Sequence, residues 1–223
     1  MVVVTADGDS KVLKTIYGDI PCLTLKNLPS KKNLPTVHID LYSTLNIPQS
    51  SPIFLYQGGL LKGRGINLMI QTLTHFEKAH AVIIGSGPFR NEAEKFAKKM
   101  GVYKRVHFMG PVSYKVLLNY TSSATIGFSL IEPLSKSYEQ ALPNKIFEYA
   151  LSGVPTLATN FPEMKNTIET YNLGVTCSIK KMEDIYNGIR TIFNSDYKHL
   201  QETAKNKLVW ECQCSIVELM NED

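Results

Sequence analysis

A lysine and a glutamate lie near the start of a predicted helix in the segment ALPNKIFEYALSGVP. Pro143 suits the first turn of a helix and Gly153 suits the position just after its end, so a helix is predicted over residues 143–152. Lys145 then lies where the helix dipole carries roughly half a positive charge, which disfavours a lysine unless an anion binds nearby. Glu148 follows three residues later, on the same side of the helix. The alternative is a solvated surface ion pair between the two, worth under about 1 kcal/mol.

A second basic segment is the loop GGLLKGRG, residues 58–65. Glycines such as Gly58 and Gly59 let backbone N–H groups approach an oxyanion, and Lys62 and Arg64 could neutralise its charge. The order of residues differs from that of the phosphate-binding P-loop, GxxxxGK[ST]. The loop therefore indicates either an anion site of another kind or a flexible turn with two solvated bases.

Two further glycines, Gly85 and Gly87, follow an apolar run in the segment GSGP. Arg90 stands where the dinucleotide-binding motif GxGxxG has its third glycine, and the next predicted strand does not end in an acidic residue. These differences argue against an NAD-dependent oxidoreductase. The two glycines either let a ligand approach the backbone or form a tight turn between a strand and a helix.

The remaining side chains give no signal for a nucleophilic triad or a metal site. The five histidines are dispersed, and the four cysteines lack CxxC spacing. The formal net charge is +4, but the lysines are scattered, so nucleic acid is not expected as a partner. No apolar run reaches the roughly 18 residues of a membrane span, and the first residues lack the features of a secretory signal. A reduced, cytoplasmic chain is expected.

The elements that must position these residues alternate regularly after about residue 52. Apolar runs typical of buried strands occupy residues 53–57, 81–84, 105–109, 124–128, 154–158 and 174–177. Helical patterns lie between and after them, near residues 65–78, 91–100, 113–121, 143–152, 162–171 and 182–194. This alternation predicts an α/β fold, a Rossmann-like, doubly wound parallel sheet of six strands in the order 3-2-1-4-5-6.

That strand order predicts where a ligand would bind. The order reverses between the first and fourth strands of the sheet, and ligands bind in the crevice at such a switch point. The loops that leave these two strands are residues 58–65 and residues 129–145. The glycine-rich basic loop and the segment that leads into Lys145 should therefore meet in one crevice.

The chain divides into three predicted regions. Residues 1–50 contain a short strand–helix–strand pattern and a proline-containing linker, as expected for a βαβ remnant of a preceding domain. Residues 51–196 form the Rossmann-like domain. Residues 197–223 are predicted to be a closing helix, with apolar positions at Leu200, Ala204, Leu208, Ile216 and Leu219.

Three segments, in this order, carry a resemblance to a known family. They are YQGGLLKGRGINLMIQTL, AVIIGSGPFRNEAEKFAKKMGVYKRVHFMGPV and ALPNKIFEYALSGVPTLATNFPEM. Together they resemble the C-terminal, donor-binding half of GT-B retaining glycosyltransferases, in the group called glycosyltransferase family 4 or group 1. The resemblance covers about residues 50–212, with VWE at 209–211 near its end.

The resemblance implies an enzyme that takes a sugar from a UDP-, GDP- or ADP-linked donor. It would transfer that sugar, with retention, to a glycan or lipid-linked acceptor, and neither a cofactor nor an obligatory metal is implied. The positions that match the catalytic residues of the family are Lys62, Arg64, Lys145 and Glu148. The bases would hold the diphosphate, and the glutamate would contact the ribose. The matching donor-binding positions are Gly58, Gly59, Gly85, Gly87, Gln140, Leu142, Pro143 and Asn144.

Two positions depart from the pattern of the family. The family commonly has an arginine after the first glycine of the first loop, where this chain has Gly59. It often has a second glutamate eight positions before the one matched by Glu148, where this chain has Gln140 beside Glu139. Lys62 or Arg64 would take the place of that arginine. At Gln140, the contact with the donor sugar would differ from that of the family glutamate.

In this family an N-terminal domain binds the acceptor, and only its last strand–helix–strand unit is expected here. The isolated chain is therefore expected to be weakly active or inactive, because transfer requires a positioned acceptor hydroxyl. Two alternatives are a non-catalytic nucleotide-sugar-binding subunit that needs a separate acceptor-domain partner, and a sugar-nucleotide 2-epimerase. Analogy with the family suggests polysaccharide biosynthesis, with peripheral membrane association for the full-length enzyme only.

Overall fold

Two parallel sheets organise the chain in the computed structural model, which describes residues 1–213. The smaller sheet pairs β1 (Val2–Val4) with β2 (Cys22–Thr24), and α1 (Asp7–Tyr17) connects them. The larger sheet contains β3 (Ile53–Gln57), β4 (His80–Ile84), β5 (Val106–Gly110), β6 (Ile126–Ser129), β7 (Thr156–Thr159) and β8 (Gly174–Cys177). All of its pairings are parallel and its order is β5-β4-β3-β6-β7-β8, which confirms the predicted fold and strand order.

Helices cover both faces of the larger sheet. They are α2 (Leu41–Leu45), α3 (Ile66–Thr72), α4 (Arg90–Lys99), α5 (Tyr114–Thr121), α6 (Lys136–Glu139), α7 (Lys145–Leu151), α8 (Pro162–Tyr171), α9 (Met182–Phe193) and α10 (Leu200–Lys207). Side chains alternate across β3, so that Phe54 and Tyr56 pack with α3, α4 and α9 while Ile53 and Leu55 pack on the opposite face. Every residue of β3 is buried, as expected for a central parallel strand covered on both sides.

The linker contains a short helix that the sequence pattern did not predict. Asp40 caps α2 by accepting a hydrogen bond from the Tyr42 N–H at 2.9 Å. Leu41 and Ile47 are buried against β3, so this part of the linker contributes to the core of the larger sheet. A five-residue helix is too short to show a helical period, which explains why it was missed.

The predicted closing helix was wrong in its length. The helix α10 ends at Lys207 and is followed by a short 3-10 helix, Trp210–Gln213. Of the predicted apolar positions, Leu200, Ala204 and Leu208 are buried, whereas Ile216 and Leu219 lie outside the described residues.

Contacts with the linker hold this 3-10 segment in place. The Gln213 side chain accepts from the Lys26 N–H and donates to the Lys26 carbonyl, both at 2.9 Å. The Glu211 carboxylate accepts hydrogen bonds from the Ser30 hydroxyl and the Lys31 N–H. These partners are distant in sequence, so a local helical pattern could not indicate where the helix would end.

We expect a histidine pair on β4 and β5 to make the fold sensitive to acid. His80 Nδ1 lies 3.0 Å from His107 Nε2. Burial lowers the pKa of both rings, and for His80 the nearby His107 and Arg105 lower it further. The unfolded chain then binds protons more readily near pH 6.5 than the folded chain does, so stability is lost as the pH falls below that value.

The measurement is urea unfolding at roughly pH 7.5 and pH 5, for the wild-type chain and for His107→Asn. The variant should lose less free energy of unfolding than the wild type over this interval. An equal loss in both proteins would contradict the prediction.

Candidate functional site

A cleft of about 340 Å³ opens at the carboxyl ends of β3 and β6, where the strand order reverses. It is lined by Tyr56, Gln57, Gly58, Gly59, Leu61, Arg64, Pro143, Asn144, Lys145 and Glu148. The two loops that the sequence analysis expected to converge are joined by a backbone hydrogen bond of 3.0 Å, from the Glu132 N–H to the Gly63 carbonyl. The cleft therefore lies at the predicted switch point.

Lys145 enters the cleft over the face of an aromatic ring. Its Nζ lies 3.6 Å from the centroid of the Tyr56 ring, a cation–π contact. The residue keeps partial solvent exposure, but burial of the amine and the nearby positive charge of Arg64 lower its pKa to about 7. The negative charge of Glu148 opposes this shift. The amine is therefore a cation in an unfavourable position that a bound anion would stabilise.

Arg64 brings a second positive charge to the same cleft. Its guanidinium carbon lies 4.8 Å from the centroid of the Tyr138 ring. Among residues 1–213, neither Arg64 nor Lys145 forms a close ion pair with a carboxylate. The ion pair between Lys145 and Glu148 that was considered from their spacing is thus absent. Two cations without a close carboxylate partner make the cleft suited to an anion that carries more than one negative charge.

Glu148 is the acidic group of the cleft and is only 8% exposed. Its Oε2 accepts a hydrogen bond from Gln57 Nε2 at 2.5 Å. Burial raises the pKa of Glu148, whereas hydrogen bonds from Gln57 and Tyr114 and the charge of Lys145 act to lower it. Desolvation and the bond to Glu148 in turn raise the pKa of the Tyr114 phenol to about 12. A carboxylate held in this way is an acceptor for hydroxyl groups of a ligand.

The helix that carries Lys145 and Glu148 is shorter than predicted. It begins at Lys145 rather than at Pro143, with Asn144 as its N-cap, and it contains seven residues. Pro143 and Asn144 instead form part of the wall of the cleft. Because the helix is short, the side chains of Arg64 and Lys145, and not the helix dipole, are the groups that favour an anion here.

A second cleft of about 250 Å³ adjoins the first and shares Gly58 and Gly59 with it. Its other lining residues are Ile84, Gly85, Ser86, Pro111, Val112 and Leu117. A Cβ at Gly85 would lie 1.9 Å from the Gly58 carbonyl oxygen, and one at Gly87 would lie 2.3 Å from the Leu60 carbonyl oxygen. Both glycines are therefore required by the close packing of two loops, which is the structural alternative raised for the GSGP segment.

Several predicted site residues lie outside the main cleft. Lys62 is exposed on the first loop, and Gln140 follows α6 with its backbone N–H bonded to the Lys136 carbonyl. Leu142 packs against the hydrophobic core beneath α7. Gly85 lies in the adjoining cleft, and Gly87 lies at the contact between two loops. Five predicted site residues are therefore not among those that line the main cleft: Lys62, Gly85, Gly87, Gln140 and Leu142.

Gln57 was not among the predicted site residues, although it lines the floor of the cleft and is 1% exposed. The roles of Tyr56 and Tyr114 were not predicted either. A signal for Gln57 was present, because it is the polar end of an otherwise apolar strand that leads to the switch point. No pattern in the sequence indicates that Tyr56 lies beneath Lys145 or that Tyr114 reaches Glu148.

Within residues 1–213, no group of three or more His, Cys, Asp and Glu side chains is arranged to hold a metal ion. In the same part of the chain, no helix is long and apolar enough to cross a membrane.

Comparison with solved structures shows that other proteins share this fold. Sucrose-phosphate synthase from Thermosynechococcus elongatus superimposes with a TM-score of 0.82 at 18% identity, over 99% of this chain and 57% of that chain. HepE from Anabaena, solved in complex with UDP-glucose, also gives a TM-score of 0.82, at 15% identity over 100% of this chain and 64% of its own. At these identities the similarity shows the fold alone.

Sequence comparison gives a further relative and a family. The Vi polysaccharide biosynthesis protein VipC/TviE of Salmonella typhi is 28% identical over 111 residues, which are 48% of this chain and 17% of that protein. The chain thus spans less than two thirds of the length of these relatives. Residues 41–208 match the family described as Glycosyl transferases group 1. Because this match covers most of the chain and includes the whole cleft, the chain belongs to the group 1 family of glycosyl transferases.

Proposed function

We propose that the main cleft binds the diphosphate of a nucleotide-sugar donor, and that the chain is the donor-binding half of a retaining glycosyltransferase. The observation that carries this proposal is the pair of cations, Arg64 and Lys145, that face one cleft without a close carboxylate partner. Membership of the group 1 family supports it, as does the fold shared with a HepE structure that contains UDP-glucose.

Each part of the site has a role in this proposal. When the bond between the anomeric carbon and the phosphate oxygen breaks, the diphosphate leaves with the electron pair, and Arg64 and Lys145 stabilise its growing charge. Glu148 accepts hydrogen bonds from ribose hydroxyls. The adjoining cleft at Gly85 receives the base. The acceptor hydroxyl, from a glycan or a lipid-linked sugar held by a further domain, forms the new bond to the anomeric carbon, and its proton passes to the departing diphosphate.

The first experiment is calorimetric titration of the chain with UDP, GDP and ADP. At least one is expected to bind, and its monophosphate and its nucleoside should bind progressively more weakly because they offer fewer charges to Arg64 and Lys145. Binding should persist in EDTA, because these two side chains neutralise the diphosphate without a metal. Failure of all three diphosphates to bind at roughly millimolar concentration would refute the proposal.

Nucleotide affinity is expected to fall as the pH rises above about 7, the pKa to which burial and Arg64 lower the Lys145 amine. A bound diphosphate favours the ammonium form of Lys145. This amine therefore stays protonated in the complex at a pH where it has lost the proton in the free chain. The dissociation constant should therefore rise by up to about tenfold per pH unit until the pKa of the complex is reached. The phosphate itself is largely ionised above roughly pH 7, so its own titration adds little.

The control is Lys145→Arg, because a guanidinium keeps its charge throughout this range. Its affinity should be nearly independent of pH between about 7 and 9. Equal pH dependence in the variant and in the wild type would show that another group is titrating.

A second candidate function is that of a non-catalytic nucleotide-sugar-binding subunit. The observation in its favour is the apolar surface of the N-terminal unit: α1 buries no residue, and Ile16 and Tyr17 are 63% and 68% exposed. A two-stranded sheet with such a helix does not form a core, so this surface is suited to a separate acceptor-binding domain.

Incubation with a nucleotide sugar that binds separates these functions. Release of nucleoside diphosphate, by transfer or by slow hydrolysis, supports a transferase. Donor binding without turnover, restored by a co-expressed acceptor-domain protein, supports the subunit. Conversion of the sugar to its C2 epimer would instead support a sugar-nucleotide 2-epimerase.

A further inference from the structure

A buried chain of hydrogen bonds lies beneath the main cleft and ends at Glu148. Thr121 Oγ1 donates to Gln57 Oε1 at 2.7 Å, and Gln57 Nε2 donates to Glu148 Oε2 at 2.5 Å. Thr121 is 0% exposed and Gln57 is 1% exposed. The three side chains come from α5, β3 and α7, so the network joins elements that are distant in sequence.

The chemistry of the groups fixes the orientation of the Gln57 amide. An ionised carboxylate can only accept hydrogen bonds, so the amide nitrogen must face Glu148 and the amide oxygen must face away. The Thr121 hydroxyl donates to that oxygen, which gives the buried amide oxygen a partner in this orientation. The backbone N–H of Gln57 also bonds to the buried Tyr149 hydroxyl at 3.2 Å, which holds the end of β3 in place.

The network leaves part of the Glu148 carboxylate available to the cleft. A carboxylate offers about four acceptor positions, of which Gln57 occupies one. The other groups that interact with it are the Tyr114 phenol, which is part of a residue 47% exposed, and Lys145. Because Glu148 is itself almost fully buried, loss of the Gln57 donor would leave a desolvated charge with fewer partners.

We infer that Gln57 is a positioning residue, held by Thr121, that orients the Glu148 carboxylate to accept hydrogen bonds from the vicinal ribose hydroxyls of the donor nucleotide. The cleft thereby selects ribonucleoside diphosphates over analogues that lack one of these hydroxyls. This inference rests on the proposed function, because it assigns a specificity to the same cleft.

The variant that tests it is Gln57→Met, which keeps the length of the side chain and removes the amide donor. Thr121 Oγ1 also lies 3.0 Å from the Leu117 carbonyl, so its hydroxyl retains a partner when Gln57 is replaced. Glu148 is then the group that loses a hydrogen bond. A second variant, Thr121→Val, removes the hydroxyl that bonds to the Gln57 amide oxygen and keeps the size of the side chain. Thr191→Val is the matched control, because the Thr191 hydroxyl bonds to a backbone carbonyl on the exposed surface of α9.

The measurement is the dissociation constant of whichever of UDP, GDP and ADP binds most tightly, and of its 2′-deoxy and 3′-deoxy forms. The wild type should prefer the ribonucleotide by about tenfold or more, as expected for a hydrogen bond to a charged acceptor. Gln57→Met should lose most of this preference, and Thr121→Val should lose part of it. In both, the ratio of diphosphate to monophosphate affinity should be unchanged, because that ratio reports on Arg64 and Lys145.

The pH at which the ribose preference is lost gives a further readout. Without the Gln57 donor, Glu148 takes up a proton more readily, so the preference should disappear at a higher pH than in the wild type. If Gln57 had only a structural role, its replacement would change stability but not the pH at which the ribose preference disappears.

Any of the following results would overturn the inference. A wild type that binds the diphosphate without preferring the ribose form would refute it and leave the proposed function standing, and so would a folded Gln57→Met that keeps the full preference. A wild type that binds no nucleoside diphosphate would refute both. If Gln57→Met fails to fold, Thr121→Val decides the question, since unchanged selectivity in that variant also contradicts the inference.

Discussion

Replacement of Lys145 by alanine is expected to weaken nucleoside diphosphate binding by about 10- to 100-fold, as for the loss of a charge-assisted hydrogen bond. The amine lies over the Tyr56 ring and makes no close ion pair among the described residues, so its removal costs one cation–π contact but breaks no ion pair. It also removes a cation whose charged form is disfavoured by burial. The melting temperature should therefore stay the same or rise.

Calorimetry and thermal melting of the same preparation check both parts of this expectation. Lys99→Ala is the matched control, because it removes an equal charge from the exposed end of α4 and should leave affinity unchanged. A drop in melting temperature with unchanged affinity would mean that Lys145 has a structural role. Lys62→Ala should have a smaller effect that disappears at high salt, since Lys62 is exposed on the rim of the site.

Replacement of Arg105 by methionine should lower the free energy of unfolding by about 3 kcal/mol, the largest stability change that we expect from a single side chain here. The Arg105 guanidinium donates hydrogen bonds to the carbonyls of Leu73, Phe76 and Ala79, at 2.7, 3.1 and 2.9 Å. These carbonyls follow α3 and precede β4, and that of Phe76 also accepts a hydrogen bond from the Ala79 N–H at 3.0 Å. Methionine keeps the apolar stem of the side chain but removes all three hydrogen bonds, so the carbonyls of Leu73 and Ala79 lose the donor that Arg105 supplies.

Urea unfolding gives this free energy, and Arg90→Met is the matched control. Arg90 forms an i,i+4 pair with Glu94 on a side chain that is 43% exposed, so its loss should change stability by under about 1 kcal/mol. Nucleotide affinity should not change in Arg105→Met, because Arg105 does not line the cleft. Equal destabilisation by the two variants would contradict the expectation that Arg105 stabilises the segment between α3 and β4.

The fold was largely predictable because its signals are local. Each strand of a doubly wound sheet is buried on both faces, so each appears in the sequence as a short apolar run between helical patterns. Six such runs were sufficient to predict the order β5-β4-β3-β6-β7-β8, and with it the edge where β3 and β6 end side by side. Membership of the group 1 family, indicated by three segments in order, is likewise confirmed.

The candidate site was predictable in part. The topology brought Arg64, Lys145 and Glu148 to one cleft, as the switch point required. It did not distinguish Arg64 from Lys62, which lies two residues away in the same loop. A turn at Gly63, with φ of 79°, separates the two side chains, so that Arg64 lies against Tyr138 while Lys62 remains in solvent.

The sequence by itself determined the sheet, its order, the family and the sheet edge at which the main cleft opens, because periodicity and motif spacing are properties of neighbouring residues. Only the tertiary structure decided which side chains share the cleft and how their surroundings shift their pKa values. Gln57 and Glu148 are 91 residues apart, and Gln213 and Lys26 are 187 apart, so neither contact leaves a local pattern. The lowered pKa of Lys145 arises in the same way, from the burial and the neighbouring charge that only the packed chain provides.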